Sequence, residues 1–278
     1  MKPKPLRVGK VTIGGKRPVF ILGPCVIESE KFVWRMARNI AKICTAEGVD
    51  LIFKSSYDKA NRTSVRSFRG TGPREGCEML AAIGEELKIP VTTDVHSPDE
   101  AKLAADSIDL LQIPAFLCRQ TDLLKAAAQS GRAVNVKKGQ FLAPWDIKNI
   151  ADKLKAFGCR KFCFTERGTT FGYNNLVADM RSLYWMREGG HAVIFDATHS
   201  VQRPGGAGDM TSGDSALAPV LARAAMAAGC DGIFMEVHEN PARALSDAAN
   251  QIPLKDLPNH VRMLKAIHAA VSGRGDWA

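Results

Sequence analysis

Three groups of side chains in this 278-residue chain have the types and spacing to do chemistry. The first lies in Val49-Asp50-Leu51-Ile52-Phe53-Lys54-Ser55-Ser56-Tyr57-Asp58-Lys59-Ala60-Asn61-Arg62-Thr63-Ser64, where a short apolar run breaks into hydroxyls, an amide and cations. Such a run reads as a buried strand delivering polar side chains to the mouth of a sheet or barrel. Lys54, Lys59, Arg62 and Thr63 make an anion cradle there, and the donors of Asn61 and Ser64 favour phosphate recognition over a solvated basic turn. The second group, Lys137, Lys138 and Arg167, would join Lys54 in setting several fixed charges around one pocket, as a substrate of multiple negative charge requires. One of these lysines could instead serve as a Schiff-base nucleophile of the aldolase kind. The third group is Cys25, His199 and Glu236, with Asp247 as a candidate fourth member. A thiolate, an imidazole and carboxylates suit a divalent transition metal, although a lone cysteine also packs as a small hydrophobe.

These residues lie far apart along the chain, so a scaffold must gather them. Eight apolar runs, at 19–22, 51–53, 90–93, 110–113, 133–136, 162–164, 192–195 and 233–235, are separated by amphipathic segments that include 31–47, 75–87, 122–129, 146–157, 176–187, 216–228 and 254–271. Alternating strands and helices predict a parallel sheet covered by helices. Eight repeats within a length near the roughly 250 residues of a (β/α)₈ barrel predict an α/β fold of the TIM (β/α)₈ barrel type. Residues from about 6 to 17 alternate through Val8, Val11 and Ile13 to Gly14-Gly15, which predicts a short N-terminal β-hairpin ahead of a single barrel domain. A doubly wound open sheet is the alternative, but Gly23-Pro24-Cys25 does not match the glycine-rich dinucleotide loop of that class.

The barrel supplies an internal check, because functional residues belong just after strands. The eight strand ends read Gly23-Pro24-Cys25, Lys54-Ser55-Ser56, Asp94-Val95-His96, Gln112-Ile113-Pro114, Lys137-Lys138, Glu166-Arg167-Gly168, Asp196-Ala197-Thr198-His199 and Glu236-Val237-His238. Closure of strand eight against strand one would make neighbours of Cys25, His199 and Glu236. The loop Gly205-Gly206-Ala207-Gly208-Asp209-Met210-Thr211-Ser212-Gly213 reads as a lid.

The balance of 38 Lys+Arg against 29 Asp+Glu gives a formal charge of +9, which favours acidic partners. No basic helix face or aromatic–basic interleaving points to nucleic acid. Seven cysteines without a CxxC pair predict reduced thiols, and no apolar stretch is long enough for a membrane span or signal peptide, so the expectation is a cytoplasmic protein.

Gly23-Pro24-Cys25-Val26-Ile27-Glu28-Ser29, Lys54-Ser55-Ser56-Tyr57-Asp58-Lys59-Ala60-Asn61-Arg62, Thr93-Asp94-Val95-His96, Gln112-Ile113-Pro114-Ala115-Phe116-Leu117, Asn135-Val136-Lys137-Lys138-Gly139-Gln140-Phe141, Glu166-Arg167-Gly168, Phe195-Asp196-Ala197-Thr198-His199 and Met235-Glu236-Val237-His238 together resemble the 3-deoxy-D-manno-octulosonate 8-phosphate synthase family, from about residue 6 to residue 265. The resemblance implies a TIM barrel, usually a homotetramer, that condenses phosphoenolpyruvate with D-arabinose 5-phosphate for lipopolysaccharide synthesis. It implies phosphoenolpyruvate contacts at Lys54, Ser56, Gln112, Lys137, Arg167 and His199. It implies arabinose 5-phosphate contacts at Lys59, Asn61 and Asp94, with the sugar's phosphate on Arg62 and Thr63 across a subunit boundary. The related heptulosonate synthases usually carry Lys-Pro-Arg-[Ser/Thr] where this chain has Lys59-Ala60-Asn61-Arg62-Thr63, which favours the longer sugar. Cys25, where metal-free relatives carry asparagine, implies the metal-requiring type, with zinc, iron or manganese held by Cys25, His199, Glu236 and Asp247. Gly213-Asp214-Ser215 departs from the usual Gly-Gly followed by a larger residue.

Overall fold

The computed structural model describes residues 3–62, 64–205 and 212–272. Eight strands, β1 (Val19–Gly23), β2 (Asp50–Lys54), β3 (Val91–Asp94), β4 (Leu110–Ile113), β5 (Ala133–Lys137), β6 (Phe162–Glu166), β7 (Val193–Asp196) and β8 (Gly232–His238), pair in parallel in chain order. Strand β8 pairs with both β7 and β1, which closes the ring and rules out the open sheet. Helices α1 (Glu30–Glu47), α2 (Pro73–Leu87), α3 (Pro98–Ala105), α4 (Thr121–Gln129), α5 (Ile147–Ala156), α6 (Arg181–Glu188), α7 (Ala218–Ala227) and α8 (Leu257–Ser272) follow the strands in turn. The fold is the expected TIM barrel.

The strands read as continuous apolar runs because both their faces are covered. In β1, Phe20 and Leu22 pack outward with the helices, whereas Val19 and Ile21 join Ile52, Leu110, Ala133, Cys163, Ile194 and Phe234 inside the barrel. The expected hairpin pairs Leu6–Val8 with Val11–Ile13, and its Leu6, Val8, Val11 and Ile13 join the same interior cluster at the strand starts. An apolar plug therefore fills the N-terminal end of the barrel, which leaves the C-terminal end for polar side chains. Helix α1 shows how each outer element is fixed. Ser29 accepts a hydrogen bond from Phe32 N at 3.3 Å to cap the start, Gly48 stops the helix at a φ of 63°, and Phe32, Val33, Met36, Ala37, Ile40 and Cys44 form the buried stripe.

Two elements differ from the sequence expectation. Helix α3 lies outside the expected amphipathic segments, because its eight residues bury little besides Ala101 and Ala104. Its signal is local instead: Ser97 caps Glu100 N and Pro98 takes the first helical position. The expected helix at 176–187 begins only at Arg181, since Leu176–Val177 pairs antiparallel with Thr169–Thr170 across a turn in which Gly172 and Asn174 take positive φ. One close approach matters for the site. A Cβ on Gly23 would lie 1.8 Å from the Lys54 carbonyl oxygen, so only glycine lets the ends of β1 and β2 come together beneath Cys25 and Lys54.

Candidate active site

A cavity of about 680 Å³ opens at the C-terminal ends of the strands. Lys54, Lys59, Arg62, Lys137 and Arg167 line it, together with Asp58, Asn61, Asp94, His199, Gln202 and Asp247, and Pro114, Ala115, Phe116 and Leu117 form an apolar wall.

Each cation is held by a specific partner, as burial requires. Lys54, 1% exposed, donates to Glu236 Oε1 and to the Cys25 carbonyl, both at 3.0 Å, and lies 3.9 Å from Asp94. These contacts make Lys54 a charge anchor between Glu236 and the Cys25 carbonyl. Lys137 Nζ lies 2.7 Å from Asp196 Oδ2 and 3.9 Å from the centre of the Phe234 ring, so an aromatic face forms the floor beneath it. The same Asp196 oxygen lies 2.8 Å from His199 Nδ1, which turns His199 Nε2 toward Glu236 at 3.6 Å and Asp247 at 3.8 Å. Arg167 donates to Gln202 Oε1 at 2.6 Å, and Gln202 donates in turn to Asp247 at 3.2 Å. Burial pulls the Arg167 guanidinium below its ordinary pKa, a cost that a bound anion would relieve. Arg62 Nη1 lies 3.6 Å from Asp247, and its Nε donates to the Phe68 carbonyl. Among the described residues, Arg62 Nη2 and Arg167 Nη1 are buried without a protein hydrogen-bond partner.

The carboxylates are kept ionised by this arrangement. Burial alone would raise Asp94, but Lys54, Lys59, Lys137 and a hydrogen bond from Ser56 outweigh it and hold the group far below the usual carboxylate range. Glu236 follows the same pattern: burial raises it, and Lys54, His199, Lys59 and Lys137 bring it down. In Asp196 the opposing pull comes from His199 and Lys137.

Cys25, Glu236 and Asp247 place ligand atoms within 4.8 Å of one another. A short strand, Ile252–Pro253, runs beside the end of β8 and draws the preceding loop over the mouth, where Asp247 takes a φ of 46°, a conformation aspartate tolerates better than most residues. Cys25 Sγ lies 2.8 Å from Ser246 Oγ and 3.6 Å from Asp247 Oδ2. Burial, then Glu236, pushes the Cys25 thiol well above its ordinary pKa, with a smaller push from Asp247. A thiol raised by two neighbouring acids ionises when a divalent cation joins it, so the donor set fits a borderline metal such as zinc or iron. His199 Nε2 borders the cluster through its contacts with both acids.

The expected residues therefore converge, with qualifications. Lys59 borders the cluster at 3.7 Å from Glu236, and Asn61 lies exposed on the cavity wall. Ser56 and Gln112 are fully buried and turned onto Asp94, donating at 2.5 and 2.7 Å. Lys138 does not join the pocket cations as expected. It is fully buried, donates to the Gly139 and Leu142 carbonyls and to Thr169, and lies 3.6 Å from Glu166, because successive residues of a strand point to opposite faces. His96 and His238 hold Glu100 and Glu28 as supporting groups. Thr63 and residues 206–211 of the expected lid lie outside the described residues, although the ladder of Gln202–Arg203 with Ser212–Gly213 marks the lid's base. Asp196, Gln202, Ser246 and Phe234 join the site without a role expected from sequence. Asp196 carries a signal, an acid closing a strand three residues before a candidate ligand, whereas Gln202 and Ser246 carry none.

A closed α/β barrel with fixed cations, ionised acids and a sulfur-containing ligand cluster at its C-terminal mouth defines a barrel of the class that acts on small, multiply anionic substrates. The chain belongs to the DAHP synthetase I family, whose model matches residues 3–272. It is 56% identical over 268 residues to a 2-dehydro-3-deoxyphosphooctonate aldolase of Geobacter sp. (strain M21), covering 96% of this chain and 98% of that protein. Proteins of the same name from Pelobacter propionicus and Synechococcus sp. are 57% and 56% identical over 265 and 264 residues, each covering 95% of this chain and 97% and 93% of the relative.

Proposed function

We propose that this chain condenses phosphoenolpyruvate with D-arabinose 5-phosphate and water, forming 3-deoxy-D-manno-octulosonate 8-phosphate and inorganic phosphate for lipopolysaccharide synthesis. The observation that carries the reading, beside the name of the relatives, is the pair of buried guanidinium nitrogens without an acceptor among the described residues, Arg62 Nη2 and Arg167 Nη1, in one cavity. Two phosphorylated substrates supply the acceptors they lack.

On this reading, Lys54, Lys137 and Arg167 fix the carboxylate and phosphate of phosphoenolpyruvate, with His199 completing that half, while Ser56 and Gln112, buried behind the cavity, act through the Asp94 carboxylate they hold. Lys59, Asn61 and Asp94 hold the sugar, and Arg62 and Thr63 take its phosphate. Carbon 3 of phosphoenolpyruvate bonds to the sugar's aldehyde carbon, water adds to carbon 2, and the phosphate leaves with C–O cleavage. The cations are held by Glu236, Asp196 and Gln202 before substrate arrives, so they stabilise developing charge without reorganising. His199 Nδ1 is fixed by Asp196, which keeps Nε2 directed at the acid cluster. Cys25, Glu236 and Asp247, with His199 beside them, would hold a divalent ion, zinc, iron or manganese, which when bound would polarise the aldehyde or orient and acidify water.

The reading includes a cytoplasmic homotetramer. Seven free, buried thiols favour a reducing compartment, and the exposed Trp145, Phe171, Tyr173 and Tyr184 suit burial against another copy. No helix among the described residues is long and apolar enough to cross a membrane. Phosphate release with phosphoenolpyruvate and either arabinose 5-phosphate or erythrose 4-phosphate, before and after EDTA, tests substrate and metal together. Turnover with the five-carbon sugar that EDTA removes is the expected result. Preference for erythrose 4-phosphate would overturn the substrate, and full activity of metal-stripped protein would overturn the metal.

A further inference from the structure

Asp94, Gln112 and Asn135 are register partners on β3, β4 and β5, and Asn135 is paired in turn with Cys163 on β6. Their side chains form one hydrogen-bonded file across the barrel interior. Thr165 Oγ1 donates to Asn135 Oδ1 at 2.8 Å, Asn135 Nδ2 donates to Gln112 Oε1 at 3.0 Å, and Gln112 Nε2 donates to Asp94 Oδ1 at 2.7 Å. Thr165, Asn135 and Gln112 have no solvent exposure, and only Asp94 reaches the cavity.

The direction of the file is forced. An ionised carboxylate only accepts, so Gln112 must offer Asp94 its amide nitrogen, and its oxygen then needs a donor. Asn135 provides that donor, which leaves its own oxygen to accept from Thr165, with the Cys163 thiol a weaker donor at 3.6 Å. Ser56 holds the other oxygen of Asp94 at 2.5 Å, so the carboxylate plane is pinned by one side chain at each end. An amide turned the wrong way anywhere along the file would set oxygen against oxygen in a buried site.

We propose that Asn135 and Thr165 are positioning residues for the sugar-phosphate half of the site: acting through Gln112, they set the Asp94 carboxylate in the orientation that accepts substrate hydroxyls. The inference rests on the reading that Asp94 contacts arabinose 5-phosphate.

The test is steady-state phosphate release with each substrate varied in turn, on wild type, Asn135→Asp, Thr165→Val and Thr165→Ser, with urea unfolding of each. Asn135→Asp keeps the shape but puts an acceptor against Gln112 Oε1, and Thr165→Val removes only the terminal donor. The KM for arabinose 5-phosphate is expected to rise ~5-fold in Thr165→Val, for one hydrogen bond, and ~100-fold in Asn135→Asp, where the buried bond to Gln112 becomes an oxygen–oxygen contact that Gln112 can relieve only by turning its own oxygen onto Asp94. The KM for phosphoenolpyruvate stays within about two-fold, and Thr165→Ser restores wild-type behaviour. Equal rises in both KM values, or none in a folded Thr165→Val, would overturn the inference. If Asn135→Asp does not fold, the Thr165 pair decides. A wild type that releases no phosphate with arabinose 5-phosphate overturns the functional reading instead, and the inference with it.

Discussion

Replacing Asp196 by asparagine tests how the cations are kept ready in the barrel mouth. Asp196 has no solvent exposure, and its Oδ2 serves both Lys137 Nζ at 2.7 Å and His199 Nδ1 at 2.8 Å, while Oδ1 accepts the His199 backbone N–H at 2.9 Å. In Asp196→Asn the side chain would keep its shape and the Oδ1 bond but would turn an amide NH₂ toward two donors, leaving the Lys137 ammonium buried without its anion. Removing one partner of a buried pair costs roughly 3–5 kcal/mol. Lys137 borders the cavity and keeps the Phe234 ring beneath it, so the lower end, about 3 kcal/mol, applies. For a domain of this size that lowers the melting temperature by about 6–12 °C. His199 also loses the acceptor that fixes its ring, for which a loss of about 10–100-fold in kcat is expected. Thermal unfolding at pH 7 and phosphate release measure the two effects separately. A variant that melts within about 2 °C of wild type and turns over normally would show that the Lys137–Asp196–His199 contacts do not set up the site.

Other perturbations probe separate parts of the site. Cys25→Ala, or treatment with EDTA, is expected to abolish phosphate release and to remove bound metal measured by elemental analysis; retained metal with full activity would refute the ligand assignment. Arg62→Ala is expected to raise the KM for arabinose 5-phosphate by about 100-fold and to leave that for phosphoenolpyruvate nearly unchanged, since a charge-assisted contact contributes roughly 1.5–3 kcal/mol. Glu100 provides a pH test beside the cavity. Burial raises it, but hydrogen bonds from His96 and Tyr57 bring it from 4.5 down to about 2. A depressed carboxylate contributes stability that is present above its unfolded pKa and lost as pH falls through the folded one. Urea unfolding should therefore show Glu100→Gln less stable than wild type by about 1–2 kcal/mol at pH 7, after discounting for partial exposure, and the gap should close between about pH 4.5 and pH 2. A gap independent of pH would refute it.

Much of this architecture is legible in the sequence because it depends on periodicity. Doubly buried strands announce themselves as apolar runs, and the C-terminal end of each run marks where a side chain enters the mouth; Cys25, Lys54, Asp94, Lys137, Arg167, His199 and Glu236 are all found in this way. Helix α3 escapes such a reading because small residues at Ala101 and Ala104 give a weak stripe. Pairing is not legible either. Lys137 and Lys138 look alike in a sequence, yet one faces Asp196 in the cavity and the other ties Gly139, Leu142 and Thr169 behind it. Only the phase of β5 separates them. Gln202 and Ser246 stand in loops whose course depends on the ladder at Gln202–Arg203 and the short strand at Ile252–Pro253, and no periodicity predicts which way such loops turn.

The two ends of the barrel divide the physical work. At the N-terminal end the hairpin contributes Leu6, Val8, Val11 and Ile13 to an interior that is almost wholly apolar, and burial there stabilises the ring without any demand for partners. At the other end every buried charge must be matched, and the matches are made between strands two apart in the ring: Lys54 of β2 with Glu236 of β8, which β1 brings together by pairing with both, and Lys137 of β5 with Asp196 of β7 on either side of β6. Such pairs gain little net stability against desolvation, so their value lies in fixing where charge stands. The arginines depart from this matching: among the described residues, Arg62 Nη2 and Arg167 Nη1 are buried at the cavity without a hydrogen-bond partner, a cost the fold bears until an anion takes those positions. A site with that imbalance binds phosphate or carboxylate more tightly than a neutral analogue of the same shape, because only the anion completes hydrogen bonds that the protein leaves unmade.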